Sequence, residues 1–250
     1  MNDIYEAIFS RMSVRKFKKE KLNGETLETV ERLFGELKPL DESIKTRLEI
    51  STDSRVSGLF SIKAPHYLLF FSEDKPGYLP NAGFMLQQMD LRLSAMGIGA
   101  CWLGFAKPSG EVPKDPNLEF VITLAFGEAV GEVHRKDRSQ FRRKEITEIC
   151  RGDQHLGLIE AARLAPSATN SQPWFFVSKR EKIDLYCVKP GFIKTLFYKR
   201  LNEIDSGIAL LHLFVAAERA GLAPKIVIDR DAMDNPPEGY YYVRSIEVER

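Results

Sequence analysis

The sequence predicts an α+β fold in which one order of elements occurs twice. Three observations carry this. Helix Gly83…Gly97-Ile98 has a twin in Gly207…Gly221-Leu222, with both glycine pairs fourteen residues apart. Ala64-Pro-His-Tyr-Leu-Leu69 and Gln172-Pro-Trp-Phe-Phe-Val177 both read as proline-opened apolar strands. Upstream of each lies an apolar helical stretch ending before a proline, Pro39 in one half and Pro166 in the other. The order helix, Pro-strand, helix, glycine, strand thus recurs, and two copies point to duplication rather than a solenoid.

The elements follow in order. An apolar pattern at Ile4 and Ile8 gives a first helix, followed by Arg11-Met-Ser-Val-Arg15-Lys-Phe17. Two guanidinium groups and a hydroxyl within five residues suit a phosphate, because arginine offers a planar fork of donors. Alone, the run reads better as a solvated basic turn continued by Lys16, Lys18 and Lys19. Leu27, Val30, Leu33, Phe34 and Leu37 then mark the helix before Pro39. Phe84, Leu86, Met89, Leu91, Leu93 and Met96 mark the next, closed by Gly97. Gly97-Ile-Gly-Ala-Cys-Trp-Leu-Gly104 leads into a buried strand. It is no dinucleotide fingerprint, since its sixth position is Trp102 and its glycines end a helix instead of opening one.

The strand Phe120–Phe126 is followed by the basic run Arg135–Lys144, which reads equally as an exposed linker or an anion contact. Leu158, Ala161, Ala162 and Leu164 form the helix before Pro166, with its boundary at Ala165. Between Pro166 and Pro173 lie Ser167, Thr169, Asn170, Ser171 and Gln172, rich in hydrogen-bonding groups. Polar loops on rigid elements are where ligands are gripped, although an ordinary helix–turn–strand corner fits the same residues.

Taken together, these segments resemble the nitroreductase family. Ala161–Phe176 is similar to its A-R-x-A-P-S-x-x-N-x-Q-P-W pattern, Arg11–Phe17 to its R-x-S-x-R-x-F run and Gly97–Gly104 to its G-L-G-x-C-W-x-G segment. The likeness covers nearly the whole chain and is greatest to a compact, fused branch. It implies a mixed, largely antiparallel sheet flanked by helices with an internal pseudo-two-fold, as one compact unit of halves about 1–134 and 135–250. It implies FMN as cofactor and ping-pong hydride transfer from NAD(P)H through flavin N5 to a nitroaromatic, quinone or similar small acceptor. No catalytic residue is implied, because the flavin does the redox work.

The implied cofactor contacts are Arg11, Met12 and Ser13 on the phosphate and ribityl side, and Arg15 near N1 and C2=O. Leu103 and Gly104 follow on the strand. Pro166, Ser167, Ala168 and Asn170 lie beside the ring, and Arg143 (Arg142 as the near alternative) at the phosphate. Family members seat FMN between subunits; here the complementary halves of one site are fused. Leu37-Lys-Pro-Leu-Asp41 lacks the serine and asparagine, so a second site is expected to be degenerate. The alternative is a non-catalytic flavin-binding sensor or carrier, or a degenerate interaction module. Lys189–Tyr198 could supply aromatic side chains over the flavin or pack as an amphipathic segment.

Bulk properties exclude other classes. Net charge is +1, with acidic residues balancing basic ones, which disfavours nucleic acid. No apolar stretch approaches the roughly 20 residues a membrane span needs. The N-terminus shows no signal peptide, which makes the cytoplasm the expected compartment. The three cysteines lack C-x-x-C spacing, and His66 and His212 sit in apolar stretches as expected of satisfied core histidines, so no metal is expected. A monomeric pseudo-dimer and a homodimer are both compatible with the sequence.

Overall fold

The computed structural model describes residues 2–52, 56–58, 62–109, 115–189 and 195–249. The chain divides into two units, residues 10–138 and residues 1–9 with 139–250. Part of the Lys189–Tyr198 segment, residues 190–194, lies outside the described residues.

In the first unit α2 (Gly24–Phe34) begins where Asn23 caps it, its side chain accepting from Thr26 N at 2.8 Å. Four strands follow, β1 (Thr46–Thr52), β3 (His66–Ser72), β4 (Gly99–Leu103) and β6 (Glu119–Gly127), with α3 (Tyr78–Ala95) between the second and third. The short β2 (Val56–Gly58) and β5 (Ala106–Pro108) pair separately. The main sheet runs β1-β3-β6-β4, antiparallel throughout. Every residue of β3 is buried, which is why HYLLFFS shows no alternation. Helix α3 is buried nearly all round, so the few polar residues it carries must be matched. Asn81 Oδ1 accepts from Leu40 N (2.7 Å) and Asp41 N (3.2 Å), and Gln88 bonds both N and O of Lys38.

In the second unit come α1 (Asn2–Ser10, its last residue in the first unit), α4 (Ile146–Ile149), β7 (Cys150–Arg151) and α5 (Leu156–Arg163). They are followed by β8 (Trp174–Ser178), β9 (Lys182–Val188), α6 (Thr195–Arg219), β10 (Ala223–Val227), α7 (Arg230–Asp234) and β11 (Tyr240–Glu249). Arg219 of α6 lies 5.8 Å from the Tyr5 ring of α1. The sheet runs β10-β11-β9-β8-β7, antiparallel except for the parallel β7–β8 edge. His212 of α6 meets Ala161 O of α5 through Nδ1 at 2.9 Å, and His66 accepts from Leu22 N at 3.0 Å. Both are core histidines with partners.

The α+β class with helix-flanked antiparallel sheets is thus as expected, although each unit has its own sheet. Leaving aside β2, β5 and β7 and the helices α1, α4 and α7, both units read α-β-β-α-β-β, and both sheets order those four strands first, second, fourth, third. Both central helices end at a left-handed glycine, Gly97 and Gly221, each at φ 74°. At both ends the next amide reaches back five residues, Ile98 N to Leu93 O and Leu222 N to Ala217 O. One pairing read from the sequence shifts. The strand after Pro65 is the second of its unit, whereas the strand after Pro173 is the first of the other. The shift arises because β1 and β9 have no proline to mark them.

Candidate functional site

The N-terminal arginine run is laced into the first unit. Leaving α1, the chain bridges Arg11 to His134, Ser13 to Ala100 and Phe17 to Ala129. Val14 N donates to Ala100 O at 2.9 Å, and Arg135 N to Ser10 O at 2.6 Å. Val14 packs so close on β4 that a Cβ at Gly99 would stand 2.9 Å from it, so glycine is needed there for close approach.

Arg11 is 1% exposed. Its Nε lies 2.9 Å from Asp90 Oδ2, and its Nη2 donates to Ser13 Oγ at 3.2 Å. The expected phosphate contact is therefore a buried ion pair whose outer donor fixes the Ser13 hydroxyl. Burial pushes the Asp90 carboxyl up against the opposing pull of Arg11, Gln87 and Trp102. Arg135 donates through Nη1 to Arg11 O. Burial, reinforced by repulsion from Arg11 and Arg15, lowers its guanidinium to about 10, still charged at neutral pH. Arg15 is exposed, while Met12 and Ser13 are half-buried. Arg135 thus feels the charge of both Arg11 and Arg15, with Asp90 as the carboxylate that Arg11 and Arg135 share. An anion of matching geometry would relieve the imbalance. On the same strand edge Leu103 is buried and Gly104 half-buried, and burial pushes up the Cys101 thiol, keeping it from acting as a thiolate.

The polar loop of the second unit has unusual backbone. Thr169, Asn170 and Gln172 have φ of 53°, 57° and 49°, left-handed values that side chains resist. A dense set of hydrogen bonds holds them. Ser167 Oγ accepts from Gln172 N (2.9 Å), and Gln172 Oε1 accepts from Lys144 N (2.7 Å). Asn170 Nδ2 donates to Arg142 O at 2.9 Å. Asp205 Oδ2 on α6 accepts from Ala168 N at 3.0 Å.

Arg143, also expected at a phosphate, is used by this loop. Its guanidinium donates to Leu164 O (3.2 Å), Ala165 O (3.1 Å), Arg142 O (3.2 Å) and Asn170 Oδ1 (2.7 Å). It closes the C-terminus of α5 and braces Asn170 together. Pro166 is buried, Ser167 and Ala168 half-buried, and Thr169 and Asn170 exposed.

Asp90, Arg135 and Asp205 were not singled out from the sequence. Arg135 opens the basic run already noted. Asp90 interrupts an apolar helical stretch, Met89-Asp-Leu91, a signal that buried polar function leaves in a sequence, whereas Asp205 lies in the polar run Asn202-Glu-Ile-Asp-Ser206 and carries no such signal.

The family described as "Putative TM nitroreductase" matches residues 3–217. Among solved structures, a protein from Thermotoga maritima MSB8 described as a putative nitroreductase superposes with a TM-score of 0.66 at 23% identity. That match covers 98% of this chain and 93% of that one. A nitroreductase family protein from Clostridium difficile 630 gives 0.46 at 19% identity, covering 59% of this chain and 96% of its own. A nitroreductase with bound FMN from Desulfitobacterium hafniense DCB-2 gives 0.43 at 14% identity, covering 58% and 100%. No curated protein matches the chain significantly. Among the described residues no helix is long and apolar enough to cross a membrane.

Proposed function

This chain belongs to the "Putative TM nitroreductase" family, and on that footing we propose that it is an FMN-dependent oxidoreductase. It would take reducing equivalents from NAD(P)H and deliver them to a small acceptor such as a nitroaromatic or a quinone. The observation that carries the reading is the braced loop Pro166–Gln172. Three left-handed residues, at a cost of about 1 kcal/mol or more each, are held in place by dedicated partners. An ordinary corner has no use for such strain.

The donor set fits the group. Short polar side chains and backbone amides of the loop match the alternating donors and acceptors of an isoalloxazine rim. The guanidinium excess around Arg11, Arg15 and Arg135 suits a phosphate. When bound, FMN supplies the two-electron redox chemistry, and the chain supplies position and electrostatics. In the first unit Arg15 and Arg135 would provide the positive charge. Arg11, neutralised by Asp90, would orient the Ser13 hydroxyl, and Met12, Leu103 and Gly104 would add apolar and backbone contact. In the second, Pro166, Ser167, Ala168 and Asn170 would present the loop's donors and acceptors, with Arg143 holding them. No side chain is needed as acid, base or nucleophile. The shared strand order supports reading the units as copies of one half, of which Leu37–Asp41 is the copy without serine and asparagine.

Purified protein tests this directly. The expected preparation is yellow, or becomes so on adding FMN, and bleaches anaerobically with NADH or NADPH. Protein that takes up no FMN overturns the reading; protein that binds FMN but ignores both nucleotides overturns the nicotinamide-driven reaction.

A further inference from the structure

Both units brace the loop after their helix-ending proline from the same place on the central helix, with different side chains. Asn81 and Asp205 each stand two residues before a glycine, Gly83 and Gly207, and sixteen before the terminal glycines Gly97 and Gly221. Asn81 accepts from the two amides that follow Pro39, those of Leu40 and Asp41. Asp205 accepts from Ala168, the second residue after Pro166. Asp41 and Ala168 occupy the same step of their loops. A neutral carboxamide therefore suffices for this bracing. What a carboxyl adds is an ionisable proton, and it adds it only under the loop that carries Ser167 and Asn170.

Asp205 is 4% exposed and the Ala168 amide is its hydrogen-bond donor among the described residues. Among the described residues no cation offsets it. Of the elements packed on α6, β8 and the 168–170 turn carry no charged residue. Glu160 and Arg163 of α5 and Lys225 of β10 do not act on its ionisation. Neither do Lys182 and Asp184 of β9, nor Arg244 and Glu247 of β11. The titratable group that feels it is the Cys187 thiol of β9, which burial raises to about 11, with Glu203 of α6 adding to the effect. A carboxylate here would be buried with one amide for company, which strongly favours the protonated acid.

We propose that Asp205 is a positioning residue for the flavin-binding loop: it packs the Pro166–Gln172 segment while it keeps its proton and releases it when the proton is lost. The inference rests on reading that loop as a flavin contact. The sign follows from linkage. Burial raises the carboxyl from 3.8 to about 8, so the packed state binds the extra proton. Packing is favoured fully below the ordinary carboxyl value and loses that advantage as pH rises through about 8.

The test compares wild type with D205N, which Asn81 shows to be compatible with the same bracing. FMN affinity is measured by quenching of flavin fluorescence from pH 7 to 9.5, and amide exchange is followed in a peptide spanning residues 164–173. Comparison at equal pH cancels the flavin's own titration and the intrinsic pH dependence of exchange. Between pH 7 and pH 9.5 wild type is expected to lose about a further tenfold in affinity relative to D205N, and to exchange about a further tenfold faster in the loop, most of the change being complete by pH 8.5. If neither protein takes up FMN, the flavin reading fails while exchange still decides whether Asp205 governs the loop. If FMN binds and the two proteins run parallel in either measurement, the inference is overturned and the flavin reading stands. Should D205N not fold, wild-type loop exchange against the β9 amides decides: no relative rise between pH 7 and pH 8.5 overturns the proposal.

Discussion

The Arg143 guanidinium and the Asn170 carboxamide meet at 2.7 Å, and the same guanidinium reaches the carbonyls of Leu164 and Ala165. One side chain thereby ties the end of α5 to a residue held at φ 57°. Arg143 is thus a brace for the loop, and the exposed Asn170 is positioned by it.

Arg143→Ala should weaken FMN retention at least about tenfold and cost about 1–3 kcal/mol of stability, because the freed carbonyls and Asn170 lose charge-assisted donors. Arg143→Lys should not restore affinity, since a single ammonium cannot span these acceptors. Fluorescence titration with FMN checks both, and full recovery in the lysine variant would show the fork geometry to be unimportant.

Asp90→Ala should be far more damaging than an exposed change. It leaves the Arg11 guanidinium, 1% exposed, without its counter-charge, a cost of about 3–5 kcal/mol. The double variant Arg11→Met/Asp90→Leu should recover much of that loss, because no buried charge then remains unpaired. Urea denaturation of the single and double variants gives the comparison, and strictly additive losses would count against a buried pair.

Arg15 is exposed and should matter to the anion alone. Arg15→Ala should change stability by less than about 0.5 kcal/mol yet weaken FMN binding, with the difference shrinking as salt is raised. Equal affinities at low salt would remove Arg15 from the site.

Two left-handed glycines should respond very differently to alanine. At Gly97, φ 74°, a Cβ meets nothing within 4 Å, so the cost is backbone strain of about 1–2 kcal/mol. At Gly152, φ 96°, a Cβ would fall 2.2 Å from Ser178 O, and the loss should exceed about 4 kcal/mol. Thermal melts of the two variants separate strain from collision.

Much of the fold could be read from local signals. The twin glycines close α3 and α6 as expected, because glycine alone enters the left-handed region freely at a helix end. Proline opened the strands where the sequence placed it. β1 and β9 escaped because they mix polar and apolar residues with no proline to mark them, which moved one proline strand to the wrong step of its unit. Arg11 and Arg143 were legible as cations near a phosphate-binding pattern. Their partners Asp90 and Asn170, and hence what their guanidinium groups do, were not.

The sequence by itself determined the order of elements, their repetition, the family and the segments that carry polar chemistry, since propensity, punctuation and motif all act over a few neighbouring residues. The tertiary structure alone decided which charges are neutralised. Burial and hydrogen-bond geometry depend on groups far apart in the chain. That is why Asp90 fixes Arg11, and why an aspartate stands under the Ser167–Asn170 loop where the other unit has Asn81.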